Sequence, residues 1–461
     1  MDHPSSVTCR AALLLGLALA PPMASSPSAA APRQLADSTA IESWQLGNGL
    51  RVVTQDIPRS RAVAITLAYP VGTDADPPAR RGLARLMAGA QMMAPAGDVP
   101  ERSRGEMESL RPLGWSIKVN RRATQLSEVA TVEQFPGALR QMATRMRGVR
   151  VDDSALKAAV QSVRRDLGEN LFGSVDNALY FQAREYASGA DPASIPALAA
   201  AKGLDGVTAR ELERRLRETF VPAGAVLALA GDLGGINVHA LVEGQFGALP
   251  GGAPSSSLAG SPTSPTFRPS FHSVARADLD QPAGVLALSA PALTDSGHPD
   301  FFLSMLLIGQ HCHQSWPISR HVKSRFRYSV LDEPDLVRLY PATAPDSTGA
   351  HALSNELHTT LRELLGMIVA AREFDELRYN VIWLFGGPMP RHVLSQVRSE
   401  GAALNNVCNN LAARELMGGE AFWALYRQRF TSGDDPGLAR WIRYLDRPEH
   451  QAALLFTPLH R

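Results

Sequence analysis

The sequence predicts an α+β protein made of two homologous units, each a sheet with helices packed on it. Three observations lead there. With 461 residues, 45% of them hydrophobic, the chain can build sizeable cores in two or three domains. The segment 250–270, PGGAPSSSLAGSPTSPTFRPS, is dense in Pro, Gly, Ser and Thr and nearly free of large apolar residues. Such a stretch cannot bury a core and reads as a linker. It separates 40–249 from 271–461, and both run strand, helices, strands, helices, strand, as a duplicated unit would.

The first unit opens with a glycine turn into a strand, Asn48-Gly49-Leu50-Arg51-Val52-Val53. Period-two alternation predicts a second strand over 62–69. Helical spacing follows at 80–93 and 102–111, then strand-like runs between 114 and 132. Helices are predicted at 134–147, 153–170, 175–187 and 208–219, and the apolar run 225–230 closes the unit at Gly231-Asp232. The second unit starts with a strand at 283–288, helices at 299–309 and 316–324, and strands at 327–331 and 335–341. Helices at 351–371, 373–384, 390–417 and 420–430 precede a closing strand at 452–456.

Residues 11–20, AALLLGLALA, form an unbroken apolar run. It is well short of the ~20 residues a membrane span requires. Small residues follow, Ala24, Ser25, Ser26 and Ala29 to Ala31, as a cleavage region needs. Residues 1–36 are therefore expected to be a signal peptide and disordered leader, and the protein to be exported, periplasmic or secreted. A plain Ala/Pro/Ser leader is the alternative. No Leu-x-Gly-Cys box is present, so neither a lipid anchor nor an integral membrane segment is expected. Lys+Arg at 46 against Asp+Glu at 45 argues against nucleic acid or an anionic membrane as partner. Loss of the leader removes Cys9 and leaves Cys312 and Cys408. Two readings stay open for these: a disulfide, or two buried thiols.

Several segments carry a resemblance. Leu46-Gly47-Asn48-Gly49-Leu50-Arg51-Val52 opens the first unit, and Tyr69-Pro70-Val71-Gly72-Thr73 leads to Arg81-Gly82-Leu83-Ala84 and an apolar helix. Leu227-Ala228-Leu229-Ala230-Gly231-Asp232 closes the first unit, and Leu306-Leu307-Ile308-Gly309 runs to Tyr328-Ser329-Val330 in the second. In order and spacing these resemble the insulinase/pitrilysin-type (inverzincin) zinc metallopeptidases. The resemblance implies two similar domains, each a mostly antiparallel sheet with packed helices. It also implies zinc chemistry. His-x-x-Glu-His on the helix after Gly-Leu-Ala supplies two ligands and the residue that activates water, and a Glu on a later helix completes the set.

Those positions are occupied otherwise here. Arg85 and Gly89 stand at the two His, Ala88 at the Glu, and Val163 of Val160-Gln161-Ser162-Val163-Arg164-Arg165 at the later ligand. Arg keeps its charge and has no acceptor, and the other three offer no donor atom. Asp166 and Glu169 read as lying on other faces or the next turn. His311, Cys312 and His313 are the one dense group of potential ligands, read as a polar loop after Gly309. No metal or other cofactor is expected, although zinc belongs to the family.

In the second unit the resemblance assigns substrate carbonyl contacts to an Arg and a Tyr. The Tyr is Tyr328; the Arg position is Ser324, with Arg325 beside it, and Ser315 replaces a further Arg. Arg325 and Tyr328 are the candidate substrate-binding residues, and a strand aromatic packed on its neighbours is the alternative for Tyr328. The basic run Arg320, His321, Lys323, Arg325 and Arg327 reads as a solvated face. Family members of this length work as pairs closing around a peptide, some pairing a zinc subunit with a metal-free one. The resemblance therefore implies a catalytically inactive subunit with a zinc-bearing partner and peptides as ligands. A stand-alone peptide-binding or scaffolding protein is the second reading, and an active peptidase with unorthodox ligands the third.

Overall fold

The computed structural model describes residues 41–253, 267–315, 326–340, 359, 400–431 and 436–459, with the backbone alone for 310–315. Two sheets organise them. The first is formed by β1 (Ile41–Gln45), β2 (Arg51–Asp56), β3 (Ala62–Tyr69), β4 (Trp115–Val119), β5 (Thr124–Thr131) and β6 (Val226–Gly231). Its order is β1-β2-β6-β3-β5-β4, parallel only between β2 and β6. The second contains β7 (Ser270–Arg276), β8 (Ala283–Ser289), β9 (Phe326–Ser329), β10 (Glu333–Leu339) and β11 (Gln451–Pro458). Its order is β7-β11-β8-β10-β9, parallel only between β7 and β11. Leaving β1 aside, the two sheets have the same order and the same pattern of strand directions. The fold is thus α+β with two alike, mostly antiparallel sheets.

The α-helices of the first part are α1 (Leu83–Met93), α2 (Arg104–Leu110), α3 (Phe135–Arg147), α4 (Asp153–Phe172), α5 (Val175–Ala187), α6 (Ile195–Ala199), α7 (Ala209–Thr219) and α8 (Val238–Phe246). Those described in the second part are α9 (His298–Ser315), α10 (Glu400–Leu416), α11 (Gly419–Thr431) and α12 (Leu438–Leu445). Two expectations change. The helix predicted to stop at Gly309 runs on to Ser315, so His311, Cys312 and His313 sit on helical backbone rather than in a loop. Glycine weakens a helix interior, but here it answers a packing need, because a Cβ at Gly309 would lie 2.8 Å from the Phe326 ring. The helices predicted at 316–324, 351–371 (Thr359 apart) and 373–384, residues 390–399 of the helix predicted at 390–417, and the middle of the linker lie outside the described residues.

Strand alternation decides what each sheet face meets. On the first sheet Val63, Ile65, Leu67 and Tyr69 join Val52, Leu126, Leu227 and Leu229 in one core with α1, α3, α4, α7 and α8. The other face is built of small residues, Ala62, Ala64, Ala68, Ala228 and Ala230, with Val53 and Val226. Onto it packs α10 from the far end of the chain, through Leu404, Val407, Cys408, Leu411 and Ala412. The second sheet mirrors this. Leu286, Leu288, Val337, Leu339 and Leu455 meet α9 and α12, while Val285, Ala287, Leu454 and Phe456 meet α5 of the first part. Each sheet therefore has one face covered by a helix from the other part. Each large aliphatic side chain buried there contributes roughly 1.5–3 kcal/mol.

A polar spot fixes where α10 sits. The Asn409 Oδ1 accepts from Thr66 Oγ1 at 3.1 Å and Ser127 Oγ at 2.6 Å, and its carbonyl accepts from Gln125 Nε2 at 2.8 Å. Beside it Cys408 is a free thiol, its Sγ 3.0 Å from the Ala228 carbonyl oxygen. No described helix is long and apolar enough to cross a membrane.

Candidate functional site

The chain enters α1 through Gly82, whose φ of 99° favours a residue without a Cβ. The exposed N–H groups of the first turn need acceptors. Asp76 supplies them from six residues upstream of Gly82: its Oδ2 accepts from the Gly82 N–H at 2.8 Å and its Oδ1 from the Ala84 N–H at 2.7 Å. Burial raises the Asp76 pKa to about 6, against these two bonds and the pull of Arg85 and Arg81.

Arg85 leaves α1 on its first turn and is partly buried. Burial lowers its pKa, and Asp166, Asp76 and Glu185 oppose that fall, in that order. These carboxylates come from α4, from the loop before α1, and from α5. Glu185 also pairs with Arg81 at 2.6 Å. Burial raises the Asp166 pKa, while Arg104 and Arg85 draw it down. Asp166, three residues beyond Val163, lies on the next turn of α4, and its carboxylate interacts electrostatically with Arg85.

Ala88 and Val163 are buried in one apolar cluster with Leu83, Leu86, Met87 and Leu167. Gly89 is less covered, and a Cβ there would meet only the Met93 Cε, at 3.7 Å. Ala88 and Val163 thus meet where α1 packs on α4, Arg85 faces Asp166 of α4, Gly89 lies on α1 beyond them, and none of Arg85, Ala88, Gly89 and Val163 carries a lone pair for a metal. Among the described residues no group of three His, Cys, Asp or Glu is placed to hold a metal ion. The local charge is organised instead by arginines and carboxylates: Arg85 faces Asp166, Asp76 and Glu185, which Arg81 and Arg104 also reach. The sequence could have yielded Asp166 from its spacing; Asp76 and Glu185 reach the site only through tertiary packing.

β4, an edge strand of the first sheet, lies against α1 and is partly exposed along its length. Trp115, Ile117 and Val119 pack on the core below. On the opposite side Lys118 pairs with Asp332 at 2.6 Å, tying the strand to the β9–β10 turn.

Tyr328 sits on β9, the edge of the second sheet. Its hydroxyl donates to the Pro334 carbonyl at 3.0 Å and lies 2.9 Å from the His298 Nε2. The His298 Nδ1 in turn lies 2.6 Å from the Tyr426 hydroxyl. One proton arrangement satisfies all three contacts: Tyr426 donates to Nδ1, and Nε2–H donates to Tyr328. Burial lowers the His298 pKa to about 4, so the ring is neutral as this arrangement requires. Arg325 and Ser324 lie outside the described residues, as do the side chains of His311, Cys312 and His313.

Arg327 departs from the solvated face expected of its basic run. It pairs with Asp176 of α5 at 2.8 Å and lies over the Tyr180 ring. The neighbouring contacts form a buried ionic network that sequence reading did not anticipate. Glu333 faces Arg184 at 2.8 Å, binds Arg338, and accepts from the Tyr180 hydroxyl at 2.7 Å. Asp335 takes Arg121 at 2.9 Å and Arg184 at 3.2 Å. Burial alone would raise the Glu333 and Asp335 pKa values, but the surrounding arginines outweigh it and hold both below the usual carboxylate range.

No protein-family model and no curated protein matches the chain by sequence. Solved structures do match in shape. A protease from Helicobacter pylori superposes with a TM-score of 0.65 at 15% identity, over 91% of this chain and 99% of that one. An inactive M16 peptidase domain from Pseudomonas fluorescens gives 0.65 at 14% identity, over 92% and 98%. The first half of the periplasmic protease PqqL from Escherichia coli gives 0.61 at 14% identity, over 92% of both chains. At these identities the likeness is one of fold, and the chain has the fold of the M16-like, insulinase-type peptidases.

Proposed function

We propose that this protein is a catalytically inactive insulinase-type peptidase homologue that pairs with a zinc-bearing partner to enclose peptides. The observation that carries this reading is the state of α1. Its entry, cap and packing against α4 are intact, while Arg85, Ala88, Gly89 and Val163 hold the positions that the resemblance assigns to metal and water activation. A charged Arg85 among Asp166, Asp76 and Glu185 further opposes a second cation there. The chain would thus bind no metal, and its part would be to form one wall of the chamber. The apolar run at 11–20 and the likeness to a periplasmic protease support export. The partly exposed edge of β4 beside α1 favours peptide contact by strand addition. It also fits the second reading, a stand-alone peptide binder. Tyr328, with its hydroxyl engaged by His298 and Pro334, contributes less to such contact than its position implies.

Affinity purification of the tagged chain from its native cells tests the pairing. The expected result is a stoichiometric companion that contains His-x-x-Glu-His and zinc. A lone monomer that binds no peptide would sink the proposal, and a lone monomer that does bind peptides would favour the second reading.

A further inference from the structure

Three arginines meet at the C-terminal end of α1, away from Arg85. Arg111 and Arg145 are 5% and 3% exposed, and the buried carboxylate among them, Glu128 of β5, is 1% exposed. Arg111 Nε donates to Glu128 Oε2 at 2.5 Å. The Gln141 Oε1 on α3 accepts from Arg111 Nη2 at 3.2 Å and from Arg102 Nη1 at 3.1 Å. Arg145, also on α3, donates through Nη1 to the Ala94 carbonyl, while its buried Nη2 has no hydrogen-bond partner. Arg145 interacts electrostatically with both Glu128 and Arg102, so the three guanidinium groups share one locale.

The charges there do not balance. Three cations face one buried carboxylate, and the exposed Glu106 adds a second negative charge near Arg102 alone. Glu106 is exposed and accepts from the Ser103 N–H at 2.6 Å, and Asp98 pairs with Arg140 at 2.7 Å. The end of α1 offers its terminal carbonyls, but a helix C-terminus counts for only roughly half a negative charge. Helix capping therefore accounts for Arg145 Nη1 and leaves the buried Arg145 Nη2 without a partner. Buried cations without counter-charge are costly, and a guanidinium fork matches the two oxygens of a carboxylate or phosphate. Gln141 and Arg102 are partly exposed, which gives an approach from solvent.

We propose that Arg102, Arg111 and Arg145 form a site for one small oxyanion, a carboxylate or a phosphate, bound by Arg145 Nη2 and the exposed side of Arg102. Isothermal titration of the intact protein with inorganic phosphate and, separately, with acetate distinguishes the two, with sodium chloride at matched ionic strength as control. One site per chain is expected for at least one of them, with a melting temperature raised by about 2 °C or more near saturation. Arg102→Gln, a partly exposed position, should keep the fold and weaken binding at least about tenfold, the loss of one charge-assisted contact. Arg145→Gln should abolish it. No saturable binding of either anion by the folded wild type would overturn the proposal, and so would unchanged binding by folded Arg102→Gln.

Discussion

At Gly89 a helix interior lacks a side chain although it has room for one. Its hypothetical Cβ makes only an ordinary contact with Met93. If α1 is kept for packing alone, Gly89→Ala should raise stability by about 0.5–1 kcal/mol, as alanine does in helices, measured by urea unfolding. A clear loss would mean the position is kept bare for something the protein binds. Cys408 gives a second residue-level test. Burial pushes its thiol pKa up to about 12, so it should resist alkylation in the native protein and react only after denaturation, read by peptide mass spectrometry. Rapid native labelling at Cys408 would contradict the helix–sheet packing described. The altered positions Arg85, Ala88, Gly89 and Val163 were legible because Gly82-Leu83-Ala84 sets the frame and helical spacing does the rest. Asp76 and Glu185 were not, since one caps from a loop outside the helical repeat and the other comes from a separate helix, and neither leaves a periodic pattern.

Among elements, α5 and β10 carry the main electrostatic contact between the two parts. Glu333 and Asp335 have folded-state pKa values below the unfolded ones, so their stabilisation is fully present above the ordinary carboxylate range and is lost progressively as pH falls from that range through the lowered folded-state values. Glu333→Gln should cost about 3 kcal/mol at pH 7, because it leaves Arg184 and Arg338 short of their partner. The gap between variant and wild type should begin to narrow as pH drops below about 4 and keep narrowing toward lower pH, followed by urea unfolding across pH. A gap that does not change with pH would contradict the network. β3 was predicted at its observed bounds, and β6, β8 and β11 within two residues, since apolar alternation is a local signal. β1, β7 and α12 escaped: the two strands are largely polar and edge-placed, and the helix is only 8 residues long.

For the whole molecule, the exchange of α5 and α10 between sheets matters most, and it was invisible in the sequence. The linker pointed to two units, and repeated element order gave their likeness. Which helix covers which face is decided by contacts several hundred residues apart, such as Thr66 with Asn409. Residues 41–249 expressed alone would expose the face of Val53, Ala64, Ala68, Val226, Ala228 and Ala230 that α10 covers. That fragment should aggregate or lack a cooperative unfolding transition, and co-expression with the remaining chain should rescue it. A monomeric fragment that unfolds cooperatively would contradict this interlocking. The central claim is that α1 keeps its frame without metal chemistry. Metal analysis of the purified full-length protein, paired with a peptide-cleavage assay with and without chelator, tests it most directly. The account predicts zinc far below one per chain and no chelator-sensitive cleavage; one zinc per chain with cleavage that the chelator abolishes would contradict it.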